Sequence, residues 1–577
     1  MQKEKINIRY MSIVLAASFA VASWSLWTSS RINSGAAAIV SFERIQSSSQ
    51  ETEIENAEDF MASALSFARS VVSGDAEGEE APLFPALEMP GNWDVIVELY
   101  FGNEKSGEGN GKGETFFSAL RTASKNAFNQ NPLSKEDLSS LRILIRLLKP
   151  PDQFAFIETE DGPKELVNGL AAVRVLDKSL VLKTIEEGKD FLYRMEDVSE
   201  NGFHKRYYPL TDSFEDEIHA VYSASIIYTF LYIYDLEKDE SILENLPRWG
   251  EFLLSMQNID PEDERYGAFH YSYSLETGEK EPRFVVGTAA LSIFTLLRMH
   301  EITGEEKYLH SAEIAGDWLL KMQRENGSMI PYSRHNGESW VRGKLESLLY
   351  NGQSLSALSK LYLSTGNRKY YEAARKIADR YAEKYETEKG YIEGEYRKKN
   401  PISNSWVVMS LMDFYKAGGS DSYKEIIFEL SKIILSNQNR QTNDLEYRGG
   451  WEGAYSTSGM GWIGEVMTDL YRFCIEEGRQ DCGLYKEAVI EDMRWIVQHV
   501  VSENNSHIAE NFETAKGGIL WNGADKYVRT DSVCHALNGF SRMYGHLEDG
   551  VLLSLPSKTV EEIILEFGKD QYFLTEP

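Results

Sequence analysis

Between about residues 166 and 546 the apolar positions recur at helical spacing, in stretches of two alternating kinds. Stretches near 180–195, 240–256, 305–322, 368–385, 422–435 and 484–499 carry one apolar stripe opposite charged residues. That is the pattern of helices with one face in water. The intervening stretches begin near Phe214, Phe284, Leu348, Asn404, Met460 and Asp531 and are apolar and small on more than one side, as helices buried between neighbours must be. Ahead of these lie six loops rich in glycine, aromatics and arginine, starting at Gly202, Gly267, Gly327, Gly390, Tyr447 and Gly517. Thr303-Gly-Glu-Glu-Lys-Tyr308 and Thr365-Gly-Asn-Arg-Lys-Tyr370 echo one another at the same place in neighbouring units, so the region is an internal repeat. Six outer and six inner helices are the count that closes a double ring. An open solenoid competes, but it stops after any number of units and needs polar caps, whereas this run opens on an outer helix and ends on an inner one.

The remainder divides into residues 1–30, a signal peptide or membrane anchor; 31–90, a stalk with one amphipathic stretch at 57–72; 91–165, a small α+β unit; 166–550, the helical repeat; and 551–577, a tail. Lys3, Lys5 and Arg9 precede an apolar block at 11–27, at the short end of what spans a bilayer. Trp24 and Trp27 suit an interface and favour an uncleaved transmembrane anchor; cleavage after the Ala-Val-Ala run at 20–22 is the alternative. Either outcome places the rest of the chain outside the cytoplasm. In the small unit, residues 93–100 and 141–148 read as strands and 115–128 as a helix. The glycine-rich run 102–113 reads as a hairpin or flexible loop, since Gly111-Lys-Gly-Glu lacks the ending of a phosphate-binding loop.

Composition narrows the partners. The chain has 577 residues, 42% of them apolar, enough for a large core. A net charge of -30 excludes nucleic acid and anionic membrane surfaces unless a local basic patch exists, and the sequence shows none. The 31 tyrosines and 11 tryptophans offer apolar faces with polar tips, which suits sugars as well as a core. Three cysteines rule out a disulfide framework. Cys474 and Cys482 flank a helix-to-helix turn; the expectation is a buried, reduced pair, a bridge in an oxidising compartment being the alternative. Scattered histidines without His-Glu-x-x-His imply no metal, and no cofactor is expected.

The repeat and its Thr-Gly-x-x-Lys-Tyr turns resemble the (α/α)6 toroid superfamily of carbohydrate-active proteins, over residues 166–546. That superfamily includes six-hairpin glycosidases, uronate polysaccharide lyases and the helical domain of glucuronyl C5-epimerases. The resemblance implies a mainly α fold that processes a glycan by hydrolysis, elimination or epimerisation; the N-terminal segment adds an extracytoplasmic setting, and the loop arginines point to an anionic, uronate-type glycan. A toroid that binds a glycan or a partner protein without catalysis, and a purely structural scaffold, are the other readings. The small unit distantly resembles the AMMECR-type domain over residues 93–195 but lacks its Arg-Gly-Cys-Ile-Gly signature, and contributes no site residue.

In such a ring the six loops open on one funnel. Arg206, Arg334, Arg397, Arg448 and Arg529, with Tyr207, Trp451 and Trp521, are the candidate substrate-binding residues, because a guanidinium fork suits a carboxylate. The competing role for these arginines is pairing with loop carboxylates such as Asp212, Asp216, Glu395 and Asp531. Proton abstraction beside a carboxylate needs a Tyr or His near such a cation; Tyr332 and His335 form one candidate catalytic set with Arg334, Asp531 and His535 form another with Arg529, and His204 with Arg206 and Tyr207 forms a third. Asp531 and His535 are one helical turn apart and share a face.

Overall fold

The computed structural model describes residues 57–74, 87, 90–102, 104–130, 138, 140–147, 154–159, 162–396, 399–442 and 444–556, all within one compact unit, Glu53–Pro577. The apolar block at 11–27, Arg397 and the tail beyond 556 lie outside the described residues. No helix among the described residues is long and apolar enough to cross a membrane.

The first described part is an α+β layer pair. Helices α1 (Ala57–Val72) and α2 (Phe116–Gln130) pack against an antiparallel sheet of β1 (Pro90–Phe101), β2 (Glu104–Thr115), β3 (Leu141–Leu147), β4 (Phe154–Thr159), β5 (Gly162–Val167) and β6 (Leu170–Ala171), in the order β2-β1-β3-β4-β5-β6. Its core, which includes Phe60, Val97, Leu120 and Phe156, is separate from that of the ring. Of the two readings of the glycine-rich run, hairpin or flexible loop, the structure shows the hairpin: strand β2 pairs antiparallel with β1 along its length. Its glycines fall at every second position, so Gly107, Gly109, Gly111 and Gly113 share one face, and α2 lies directly on it. A Cβ at Gly109 would come 2.0 Å from the Ala123 carbonyl oxygen, and one at Gly111 2.0 Å from that of Ala119. Gly109→Ala is therefore expected to destabilise this layer by about 2–3 kcal/mol, as overpacking against backbone does, read as a lowered first transition in thermal unfolding.

The ring consists of six outer helices, α3 (Lys178–Arg194), α5 (Glu240–Ser255), α7 (Glu306–Lys321), α9 (Arg368–Glu388), α11 (Asp421–Ser436) and α13 (Gly483–Val497), and six inner ones. The inner helices are α4 (Ala220–Glu237), α6 (Val286–Thr303), α8 (Leu348–Thr365), α10 (Pro401–Lys416), α12 (Thr457–Glu476) and α14 (Thr530–Tyr544). Each inner helix packs on the next, and α14 packs on α4, which closes the circle. Helix α4 starts six residues later than Phe214 because Ser213–Phe214 and Glu217–His219 are short strands. The Thr-Gly-x-x-Lys-Tyr echo is an inner-to-outer turn. Gly304 and Gly366 end α6 and α8 in the left-handed region, Thr303 and Thr365 hydroxyls accept the next free backbone N–H groups, and Tyr308 and Tyr370 are buried.

A second signature went unread. Gln257, Gln323 and Gln438 each stand just past the end of an outer helix. Each donates through Nε2 both to a carbonyl of its own loop and to one of the following outer helix, at Ser311, Ala373 and Ala488. The loop glycines seat against those helices; at the seam Gly517, φ 80°, lies on the first outer helix, where a Cβ would be 2.0 Å from the Glu187 carbonyl oxygen. Salt bridges clasp the inner helices in couples: Asp235 with Arg298 at 2.7 Å, Lys360 with Asp413 at 3.0 Å, and Asp469 with Arg542 at 2.6 Å. Contrary to the expected reduced pair, Cys474 and Cys482 form a disulfide across the α12-to-α13 turn, where their Cα atoms are 5.5 Å apart; Cys534 is free and buried.

Candidate active site

The axis of the ring is hollow. A cavity of about 1220 Å³ runs between the inner helices and is lined by residues of all six. We call its upper mouth the end where the inner helices begin. Because all six N-termini point there, their partial positive charges converge on it.

One wall of the upper mouth is a column of cations and rings. Residues 206 and 529 are cross-strand partners in a short antiparallel ribbon. The Arg206 guanidinium lies 5.3 Å from the Tyr527 ring centre, Tyr527 stacks on Trp521 at 5.6 Å, and the Arg529 guanidinium covers Trp521 at 4.2 Å. Arg529 donates to Asp531 through Nε at 2.6 Å and again through Nη2, and the Ser458 hydroxyl donates to Asp531 at 2.9 Å. Burial pushes the Asp531 carboxyl up, but the adjoining guanidinium outweighs it and holds the group below the usual aspartate value.

One turn further in stands His535. Its Nδ1 is 2.8 Å from Glu465 Oε2, and its ring meets the edge of Trp462, which stacks on Trp406 at 3.8 Å. Glu465 also accepts from Asn538 at 3.2 Å and Arg542 at 2.9 Å. With Nδ1 donating to the Glu465 carboxylate, Nε2 is the ring nitrogen left for a ligand. Tyr222, Tyr271 and Tyr350 also line the cavity, and burial pushes the hydroxyls of Tyr222 and Tyr271 up. Among the described residues, His535 is the one histidine lining the cavity.

Of the candidates named from the sequence, Trp521, Arg529, Asp531 and His535 line the cavity, and Arg206 flanks it. Of the others, Arg397 lies outside the described residues, and the rest sit elsewhere. Tyr332, Arg334 and His335 belong to a strand of a rim sheet, where Arg334 is exposed and the His335 Nδ1 accepts the Gly337 N–H at 3.2 Å. Tyr207 is fully buried, its hydroxyl donating to Asp212 at 2.8 Å, and His204 is buried with Nδ1 2.8 Å from the Glu215 carbonyl oxygen. Arg448 is spent on Glu491, to which its Nε donates at 2.9 Å. The loop arginines thus divide between holding loops and facing the cavity, as loop-to-helix spacing does not reveal. Glu465, Trp406 and Trp462 were missed. The available signal was Glu465 itself, a lone carboxylate inside the otherwise small and apolar run Gly461 to Met467.

Trp451 is buried as well, its indole N–H donating to Asp492 at 2.9 Å. Burial drives the Asp492 carboxyl well above the aspartate value of 3.8, the Trp451 bond only partly opposing it. The folded state therefore binds more protons than the unfolded one above that value, and stability falls as pH rises. Asp492→Asn is expected to gain stability over the parent at pH 7 to 8 and to lose that advantage below about pH 4; unfolding midpoints across that range check it.

Against the expected lack of metal ligands, Glu215, Glu217 and His219 bring ligand atoms within 4.8 Å of one another. Their surroundings are cationic. Burial, with Lys205, Arg206 and Arg283 nearby, lowers His219 to about 3, and the Lys205 ammonium is 3.8 Å from Glu215. The set suits loop support better than a cation.

Ring and cavity together define the class: an (α/α)6 toroid with an aromatic, hydrogen-bonding axial cavity. No family model and no curated protein sequence matches the chain. Among solved structures it is similar to cellobiose 2-epimerase from Bacillus thermoamylovorans B4167, with a TM-score of 0.52 at 12% identity over 64% of this chain and 99% of that one. Other neighbours are a D-mannose isomerase (TM-score 0.49, 14% identity, 64% and 98% covered) and an unsaturated glucuronyl hydrolase specific for heparin (0.47, 10%, 64% and 97%). These neighbours are carbohydrate-processing enzymes, and at such identities the likeness is one of fold.

Proposed function

We propose that this protein is an enzyme that moves a proton at a sugar carbon, with His535 as its base. The observation that carries the reading is that His535, oriented by Glu465, faces a cavity whose deeper carboxylates are each paired with a cation: Asp413 with Lys360, Glu465 and Asp469 with Arg542, and Asp531 with Arg529. Glycoside hydrolysis requires a carboxyl acid opposite a second carboxylate, whereas these four carboxylates are each engaged by a cation. An imidazole with a carboxylate behind it suits abstraction beside a carbonyl or a uronate carboxylate. His535 Nε2 takes the proton, and the electron pair moves onto the adjoining oxygen. The resulting negative charge lies where six helix N-termini converge. The proton returns to the neighbouring carbon in an isomerisation, or a β-leaving group departs in an elimination. A single base favours these over an epimerisation that needs a second group on the opposite face.

Trp406, Trp462 and Trp521 supply flat apolar surface for sugar rings. The uronate-type substrate expected from the sequence is supported by the converging helix ends; because Arg529 is already paired, a neutral aldose or ketose is supported equally. An extracytoplasmic, membrane-tethered setting is proposed with it, supported by the apolar block at 11–27 and by the Cys474–Cys482 disulfide, a bond of oxidising compartments.

The test is incubation in D2O with aldoses, ketoses and uronate oligosaccharides, followed by NMR. Deuterium entering a carbon next to a carbonyl or carboxylate is the expected result. Glycosidic cleavage that takes up solvent oxygen without deuterium at carbon would replace this reading with hydrolysis.

A further inference from the structure

Trp521, Asn522 and Asp525 reach the axial bore from one short loop ahead of α14. The Trp521 N–H donates to the Tyr527 carbonyl at 2.7 Å and Leu520 bridges to Val528, so residues 521–527 form a closed hairpin at the upper mouth. At its tip the Asn522 side chain accepts the Ala524 and Asp525 N–H groups at 2.8 and 2.6 Å and donates to Asp525 at 3.1 Å. No residue of the α+β unit lines the cavity among the described residues. That unit nevertheless grips this hairpin from behind.

The grip is Lys526. Its Nζ donates to the Asn168 carbonyl at 2.5 Å and also to the Gly523 carbonyl of its own hairpin. Asn168 and Gly169 are the two-residue turn joining β5 to β6, with φ of 49° and 74°. Positive φ at both positions is the tight-turn geometry that Asn-Gly favours, and it presents the Asn168 carbonyl as a fixed anchor. The fit is close: a Cβ at Gly169 would stand 3.4 Å from Lys526 Cε and 3.8 Å from Ile508 Cγ2, and one at Gly523 3.4 Å from Asn168 Cβ. Burial lowers the Lys526 ammonium, while Glu446 and Asp525 oppose the fall. Burial, with Asp444 beside it, pushes the Glu446 carboxyl up, and the Asn168 side chain and Lys526 oppose that rise in part. The loop before α12, the hairpin before α14 and the β5–β6 turn therefore meet at one ammonium. Behind it, β4, β5 and β6 pack on the turn Glu503–Ile508, where the Tyr100 and His507 rings are 6.2 Å apart and Arg142 donates to the Glu503 carbonyl at 3.3 Å.

A hairpin exposed at a cavity mouth is ordinarily among the least stable parts of a fold, since few buried contacts hold it. Here one charge-assisted bond ties it to a rigid turn of a separately cored layer. We infer that the α+β unit is the mount of the upper-mouth hairpin: it fixes residues 521–527 in the position that receives ligand, with Lys526 as the positioning residue. What the hairpin receives rests on the sugar reading above; the grip itself does not. Trp521 carries the effect to the cavity, because it is the flat face of that hairpin and bears the Arg529 guanidinium at 4.2 Å.

Amide hydrogen exchange read by mass spectrometry is to be compared on the full chain, on Lys526→Met and Lys526→Arg, and on Gly169→Val, which attacks the same contact from the sheet side. Lys526→Met and Gly169→Val are each expected to speed exchange over residues 519–529 by about tenfold, the factor that loss of one charge-assisted hydrogen bond gives, with the ring helices unchanged. Lys526→Arg keeps donors for both carbonyls and should stay near the parent. Because the two variants break one contact, the double variant should exchange no faster than the worse single one. With a sugar that the parent turns over, KM should rise by about tenfold in Lys526→Met at nearly constant kcat, since His535 stands on α14 outside the hairpin. Parental exchange over 519–529 in both single variants, or an equal rise along the whole ring, overturns the inference and leaves the sugar reading standing. Faster exchange with an unchanged KM overturns the part given to the hairpin in binding. If the parent turns over no sugar, the sugar reading fails, and the exchange comparison still decides the grip.

Discussion

His535→Ala is expected to lower turnover by roughly 10³-fold, within the 10²–10⁴ range typical of a positioned acid–base group, while substrate affinity changes by less than about threefold. Loss of solvent deuterium uptake should accompany loss of turnover, because the same imidazole performs both. Stability should scarcely change. Removing the ring leaves Glu465 with Arg542 at 2.9 Å and Asn538 at 3.2 Å, so no buried carboxylate is orphaned. Glu465→Gln separates orientation from chemistry: an amide can present an N–H to Nδ1, which reverses the tautomer and places the proton on Nε2. Its turnover should fall while the sugar still binds. If His535→Ala retains parental deuterium exchange, the histidine is not the base and the reaction must be sought elsewhere in the bore.

The second large effect is structural. Arg529→Ala is expected to cost about 2–3 kcal/mol of stability, somewhat less than a fully buried pair because both side chains keep some contact with the cavity. In the parent, the Arg529 guanidinium holds the Asp531 carboxyl low. The pair's contribution is thus complete above the ordinary aspartate value and is lost as pH falls through the lowered one. Without Arg529, burial dominates and raises the carboxyl, so the sign reverses and the penalty grows as pH rises past about 4. Chemical denaturation at pH 7 and pH 3.5 should show a gap that narrows in acid. Asp531→Asn in the same background should recover much of the loss at pH 7, since it removes the unpaired charge. An unchanged midpoint in Arg529→Ala would mean that the guanidinium is free for substrate, as first expected from the loop pattern.

How far the site was legible varies residue by residue. Asp531 and His535 were placed together by spacing alone, because a four-residue separation on a helix is a contact whatever surrounds it. Glu465 was not, since its partner lies seventy positions on, and only the packing of α12 against α14 brings them to 2.8 Å. Arg448 and Arg529 occupy equivalent loops in the text, but one meets Glu491 from an outer helix and the other opens on the bore. Tyr207 and Trp451 looked like sugar platforms and are core, because an aromatic beside glycine reads the same whichever way its strand faces.

The periodicity of apolar residues, together with the six glycine-rich loops and the repeated turn, determined by itself that this chain forms outer and inner helices in alternation, and their number. These are local consequences of helical geometry and side-chain type. At Glu104–Thr115 that logic left hairpin and flexible loop both open, because glycine carries no side chain to show a pattern, and only the helix lying on the strand explains the glycines. The width and lining of the bore and the choice of which carboxylates are neutralised were decided by tertiary structure alone. Each depends on which helices stand side by side, a fact about distances between remote residues that no single stretch of sequence contains.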